Sequence, residues 1–205
     1  MTIKNAVYAY IRKNMLLLLV LLLMFSVGVV FGSIGVVFLD ASQSKEIAYF
    51  VERIFKEAVI GDYGNLSSAI NINLRLTAIV WFLGLTIVGI PLIAAVVFTR
   101  GFALGFTSGF LIKVKGIAGA ATILLAIFPP NLFSVPLLLF AAANSIVFSL
   151  CLLKSSKTEI SLSKNFFAFT ISMIFVAALS TGIGVLQTFL SPLAVKAVSY
   201  VCGRL

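Results

Sequence analysis

The chain has 205 residues, 61% of them hydrophobic and only 10% charged, with a mean hydropathy of +1.20. No water-soluble domain of that length tolerates so apolar a composition, so this is an integral membrane protein. The formal charge of +9 does not mark a nucleic-acid binder, because the Lys and Arg residues are strung between apolar runs rather than gathered on one face. Histidine is absent and the acidic residues lie almost wholly in one segment, which excludes a zinc site, paired intramembrane carboxylates and a Ser/His dyad. Ser108 and Lys113 could pair only in principle, since nothing supplies an oxyanion hole. The reading is a protein without a catalytic residue, metal or cofactor. Cys151 and Cys202 lie far apart and imply neither a disulfide framework nor a metal spacing.

In chain order, residues 1–14 form a basic cytoplasmic N-terminus with Lys4, Arg12 and Lys13, followed by an uncharged first span at 15–39. Asp40 then emerges on the outer side. Residues 40–70 form an extracytoplasmic segment holding Asp40, Glu46, Glu52, Glu57 and Asp62. Within it Ile47, Val51, Ile54, Phe55, Ala58 and Val59 recur at helical spacing, which predicts an amphipathic helix capped by Ser44 and ended by Gly61. Such a helix either lies on the outer leaflet or offers a docking face, here Glu46, Tyr49, Glu52, Arg53 and Glu57.

Arg75 and Arg100 bracket a second span at 76–99, which Pro91 can kink. Residues 101–127 follow as a broken third span, interrupted at "KVKG". The paired prolines of "FPPN" at 128–131 then predict a helix break. A fourth span covers 132–153 and a fifth covers 166–190, with 191–205 as an extracytoplasmic tail. The predicted architecture is therefore an all-α, single-domain bundle of about five transmembrane helices in the lipid bilayer. Lys4, Arg12, Lys13, Arg100, Lys154, Lys157 and Lys164 then all fall on the cytoplasmic side if 101–127 crosses once.

Gly101, Gly105 and Gly109 recur every four residues and predict close backbone packing between helices, as do Gly28 with Gly32. Gly84 and Gly89 are assigned to packing as well. Phe102, Phe106 and Phe110 form a stripe beside the glycines. Arg100 is expected at the cytoplasmic end of the second span. Lys113 and Lys115 fall near mid-depth in a single crossing, where an idle lysine costs about 2.5–3.5 kcal/mol. That cost points to a helix broken at Gly116 or to cations lining a transport path.

From about residue 71 to 154 the chain resembles the stage II sporulation protein M family. The resemblance rests on a W-x-L-G-x-T-x-x-G-x-P run (Trp81, Leu83, Gly84, Thr86, Gly89, Pro91) and an F-x-R-G-F-x-x-G-F run (Phe98, Arg100, Gly101, Phe102, Gly105, Phe106). A proline-bounded turn follows. In the broader family that turn reads P-H-G-x-x-E-x-P, whereas Pro129, Pro130, Asn131, Ser134 and Pro136 stand here, so the histidine and glutamate of a proton relay or metal site are missing. The resemblance implies a non-enzymatic scaffold at the sporulation septum and engulfing membrane, anchoring the peptidoglycan-degrading stage II sporulation proteins D and P. The extracytoplasmic face at Glu46, Tyr49, Glu52, Arg53 and Glu57, with the turn at Pro129, Pro130, Asn131 and Ser134, is then the expected contact surface. The competing reading is a small transporter or channel, or the membrane partner of an ATPase.

Overall fold

The computed structural model describes residue 12 and residues 14–60, 66–155 and 162–202. Every secondary-structure element among the described residues is helical. In chain order they form α1 (Met15–Gly35), α2 (Ala41–Ile60), α3 (Leu66–Gly84), α4 (Gly89–Thr122), a π-helical turn (Ile123–Ile127), α5 (Phe128–Ser155) and α6 (Leu162–Cys202). Three described stretches are long and apolar enough to cross a membrane: Met15–Gly35, Gly89–Leu153 and Asn165–Gln187. At a rise of about 1.5 Å per residue, the 21 residues of α1 span roughly 30 Å, the thickness of a hydrocarbon core.

The Gly89–Leu153 stretch is 65 residues long, but it does not run straight. Gly116 has φ 56° and ψ −125°, a conformation closed to residues with a Cβ, and the chain reverses there. Gly119 consequently lies against the Leu111 carbonyl. Leu104 and Ser108 share a groove with Ile123, Ile127 and Asn131. Further along, Ile93 and Val97 pack with Leu139, Ala142 and Ile146. The limbs 89–115 and 117–155 are thus an antiparallel helical hairpin with Gly116 at its tip.

A second reversal joins α3 to α4. Leu85, Thr86, Gly89 and Ile90 donate backbone hydrogen bonds three residues back, to Phe82, Leu83, Thr86 and Ile87. These are the tight bonds of a short turn rather than an α-helix. The Thr86 hydroxyl donates to the Leu83 carbonyl at 3.1 Å. Gly89 sits where a Cβ would collide with that same carbonyl. Pro91 falls in the first turn of α4, where its missing N–H costs no helical bond.

These reversals correct three expectations. The second span expected at 76–99 is interrupted at 85–88, so Pro91 starts a helix instead of kinking one. The third and fourth spans do not meet at "FPPN": the helical hairpin turns at Gly116, and the prolines lie inside its second limb. A π-helical turn, in which the Phe128 amide donates to the Ile123 carbonyl, precedes the prolines, and the Asn131 side-chain amide donates to the Ile127 carbonyl at 2.8 Å just after them. Arg100 is consequently an interior residue of the first limb and not the end of a helix.

α1 forms the most extensive helix pair with α4. Gly101 faces Phe25 and Gly105 faces Val29, while Gly28 faces Phe98 and Gly32 faces Phe102. In every case a Cβ would strike the facing backbone, so four glycines let the two helices run in contact. The residue numbers rise together, so α1 and the limb 89–115 are parallel. Phe102, Phe106 and Phe110 stack beside this seam, with centroids 6.1 and 6.2 Å apart. On the other side of the bundle Gly84 abuts Ser145 and Phe169, and Val80, Ala141, Phe148 and Met173 form a second core. Leu74, Thr77 and Trp81 of α3 line a groove with Thr170, Ile174 and Ala177 of α6, and because Gly84 at the end of α3 meets Phe169 near the start of α6 the pair is antiparallel.

Candidate functional site

Two ends of the bundle follow from this packing. The first end holds the start of α1, the turn at 85–88 and the end of α5; the Ser149 hydroxyl donates to the Thr86 carbonyl there. The second end holds the end of α1, the Gly116 tip and α2. The Lys113 ammonium donates to the Val36 carbonyl just past α1 at 3.0 Å. Lys113 and Lys115 are both exposed, in the last turn before Gly116. The mid-depth position expected for the two lysines is therefore corrected: the reversal at Gly116 brings them to an end of the bundle.

At the second end α2 packs against α6. Its amide at Ser44 donates to the Asp40 carbonyl, which makes Asp40 the capping residue in place of Ser44, one turn earlier than expected. Ile47 and Val51 are partly buried, whereas Glu46, Glu52 and Arg53 are exposed and Tyr49 is 74% exposed. Their spacing of three and four residues puts Glu46, Tyr49, Glu52 and Arg53 on one outward face. The backbone of Glu57 continues this helix, while its side chain and the expected stop at Gly61 lie outside the described ones.

The proline stretch does not join that face. Pro130 is buried, Pro129, Asn131 and Ser134 are partly buried, and Pro129 and Pro130 line a groove with Leu179 and Ile183 of α6. From Gly116 to Pro129 is 13 residues, about 20 Å along the limb. The expectation of an exposed turn at Pro129, Pro130, Asn131 and Ser134 is thus corrected, since a helix continues through it and α6 covers it. Pro136 lies within the same helix.

Arg100 occupies an environment not anticipated from the sequence. Its neighbour Gly101 meets Phe25, midway along α1, so the guanidinium is carried by the middle of the bundle. Gly89 is 11 residues before it and Gly116 is 16 residues after it, about 16 and 24 Å along the helix. Neither end is within reach of a snorkelling side chain. Arg100 is partly buried and lies between the fully buried Ile93, seven residues before it, and the exposed Thr107, seven residues after it, so it leaves α4 at the edge of the core. A cation at such a depth costs about 2.5–3.5 kcal/mol on an insertion scale and more by other measures. Every carboxylate of the chain, at Asp40, Glu46, Glu52, Glu57, Asp62 and Glu159, lies outside the apolar stretches.

Beside Arg100 runs a second row of small residues, Ala95, Thr99, Ala103 and Thr107, all exposed. Their spacing of four was legible in the sequence, but the glycines of the neighbouring row drew the packing assignment. Among the described residues no three His, Cys, Asp or Glu side chains come together. Cys151 is a free, partly buried thiol.

The sequence runs that carry the resemblance now have structural places. The run from Trp81 to Pro91 builds the turn between α3 and α4, and the run from Phe98 to Phe106 builds the seam with α1. No curated protein and no solved structure matches the chain. The family model described as Stage II sporulation protein M matches residues 21–192, which takes in every helix except the N-terminal residues of α1 and the C-terminal part of α6. The chain belongs to the stage II sporulation protein M family, a family of sporulation membrane proteins.

Proposed function

We propose that this protein is a non-enzymatic scaffold of endospore formation, which anchors wall-degrading partners at the membrane during septal thinning and engulfment. In this reading the chain crosses the bilayer five times, through α1, α3, the limbs 89–115 and 117–155, and α6. Lys4, Arg12 and Lys13 ahead of the first span keep the N-terminus in the cytoplasm, so the second end, with α2 and the Gly116 tip, faces outward and the C-terminus ends outside. The observation that carries the reading is the outward face of α2, where Glu46, Tyr49, Glu52 and Arg53 are displayed on a helix seated against α6. A docking face needs a rigid base and exposed polar and aromatic groups, and this helix supplies both. The partners implied by the family resemblance are stage II sporulation proteins D and P, which act on peptidoglycan outside the membrane.

The transport alternative drew on lysines inside the bilayer. Lys113 and Lys115 are exposed beside the Gly116 turn, which weighs against it. The test is a Glu52→Lys, Glu57→Lys double variant compared with a Lys113→Gln, Lys115→Gln double variant, both at normal membrane levels. Co-purification of the two wall hydrolases and engulfment should fall in the glutamate variant and persist in the lysine variant. The reverse pattern favours transport.

A further inference from the structure

We infer that Arg100 and the exposed row Thr99, Ala103 and Thr107 form the docking site for a membrane-spanning helix that carries a carboxylate near its middle. This deepens the scaffold reading and rests on it, because it names the chemistry by which a partner is held within the bilayer.

Charge complementarity is the first argument. Arg100 is carried by the middle of α4, too far from either end of the bundle to reach water along the helix. No acidic residue of this chain lies in its apolar stretches, so no span of its own supplies a counter-charge. A second copy of the chain brings another Arg100 and still no carboxylate, which rules against self-association through this site. An anionic headgroup stays at the surface of the bilayer. A carboxylate on a foreign helix reaches the required depth, and its own cost of burial is relieved by the same pairing.

Shape is the second argument. Ala103 and Thr107 lie three and seven residues beyond Arg100, on adjoining directions of the same helix, and both are exposed. Thr99 is exposed one residue before it, and its hydroxyl is turned back to the Ala95 carbonyl at 2.8 Å. Small side chains four apart let a neighbouring helix approach closely, as the glycine row of α4 does for α1. One row is filled by this chain and the other is left open, among the described residues, beside the cation.

The test uses the full chain carrying Ala103→Cys, with Cys151→Ser and Cys202→Ser, in phosphatidylcholine vesicles. The probe is a Leu- and Ala-rich peptide of about 21 residues, long enough to span, with a central Glu and a cysteine one turn away. A matched peptide has Gln in place of Glu. Oxidative cross-linking should trap the Glu peptide about tenfold more than the Gln peptide, the minimum that a close charge pair confers. Arg100→Gln should erase that preference and Arg100→Lys should keep part of it. If Arg100→Gln does not accumulate, Thr107→Leu leaves the cation in place and fills an exposed position, and it should reduce trapping of the Glu peptide. Equal trapping of both peptides, trapping of neither, or an undiminished preference in Arg100→Gln overturns the proposal. So does loss of the preference when phosphatidylglycerol is added, which would assign the cation to lipid. Recovery of the wall hydrolases is a separate readout: their loss alongside an intact peptide preference defeats the scaffold reading and leaves this site standing.

Discussion

Substitution of Gly105 tests the seam between α1 and α4 most directly. A Cβ at this position would overlap the carbonyl, carbonyl carbon and Cα of Val29, all backbone atoms that cannot swing aside as a side chain can. The helices must therefore separate along a contact that Gly101, Gly28 and Gly32 also hold tight. Overpacking of a close-packed interior costs about 1–3 kcal/mol, and it is partly offset because Ala is better than Gly in a helix interior by about 1 kcal/mol. The net expectation for Gly105→Ala is a loss of up to about 2 kcal/mol, at most a roughly thirtyfold fall in the folded-to-unfolded ratio, and a stability about 1–3 kcal/mol below that of Gly182→Ala. Gly105→Leu, with a whole isobutyl group to place, should prevent accumulation of folded protein. Gly182→Ala is the matched control, because nothing lies within 4 Å of its Cβ position and only the propensity gain remains. The assay is reversible unfolding in mild detergent followed by circular dichroism. A Gly105→Ala protein as stable as Gly182→Ala would refute the seam, and a Gly105→Leu protein that accumulates normally but fails only in engulfment would make the row a functional interface instead.

Gly116→Ala should destabilise the protein by about 1–3 kcal/mol in the same unfolding assay, although nothing lies within 4 Å of the added methyl, because φ of 56° with ψ of −125° is open only to glycine. Lys113→Met should lose the hydrogen bond to the Val36 carbonyl and cost about 0.5–1.5 kcal/mol, with Lys113→Arg closer to the parent. Cysteine-reactive labelling in intact cells, on a background free of Cys151 and Cys202, should modify Asp40→Cys and Lys115→Cys from outside and Lys154→Cys only after permeabilisation. Protection of Lys115→Cys together with external labelling at Pro129→Cys would restore a turn at the prolines.

The membrane class, the first and last apolar helices and the amphipathic α2 were legible in the sequence, because each rests on local composition or on one helical period. The glycine rows were legible as packing residues for the same reason. What local pattern could not decide was where the 65-residue apolar stretch from Gly89 to Leu153 turns back. "FPPN" looked like the break because two adjacent prolines remove two N–H groups. The helix instead continues through them behind a π-helical turn, while Gly116, expected from "KVKG" to break the helix but not to reverse it, takes the one positive φ among the described residues. Shifting the turn from the prolines to Gly116 carries Lys113 and Lys115 to the end of the bundle and Arg100 to its middle. Depth in a membrane is a property of where helices begin and end. Only the packing of α1 against α4 and of the two limbs against each other supplies those points, since an uninterrupted apolar helix is equally favourable at every register until its neighbours are in place.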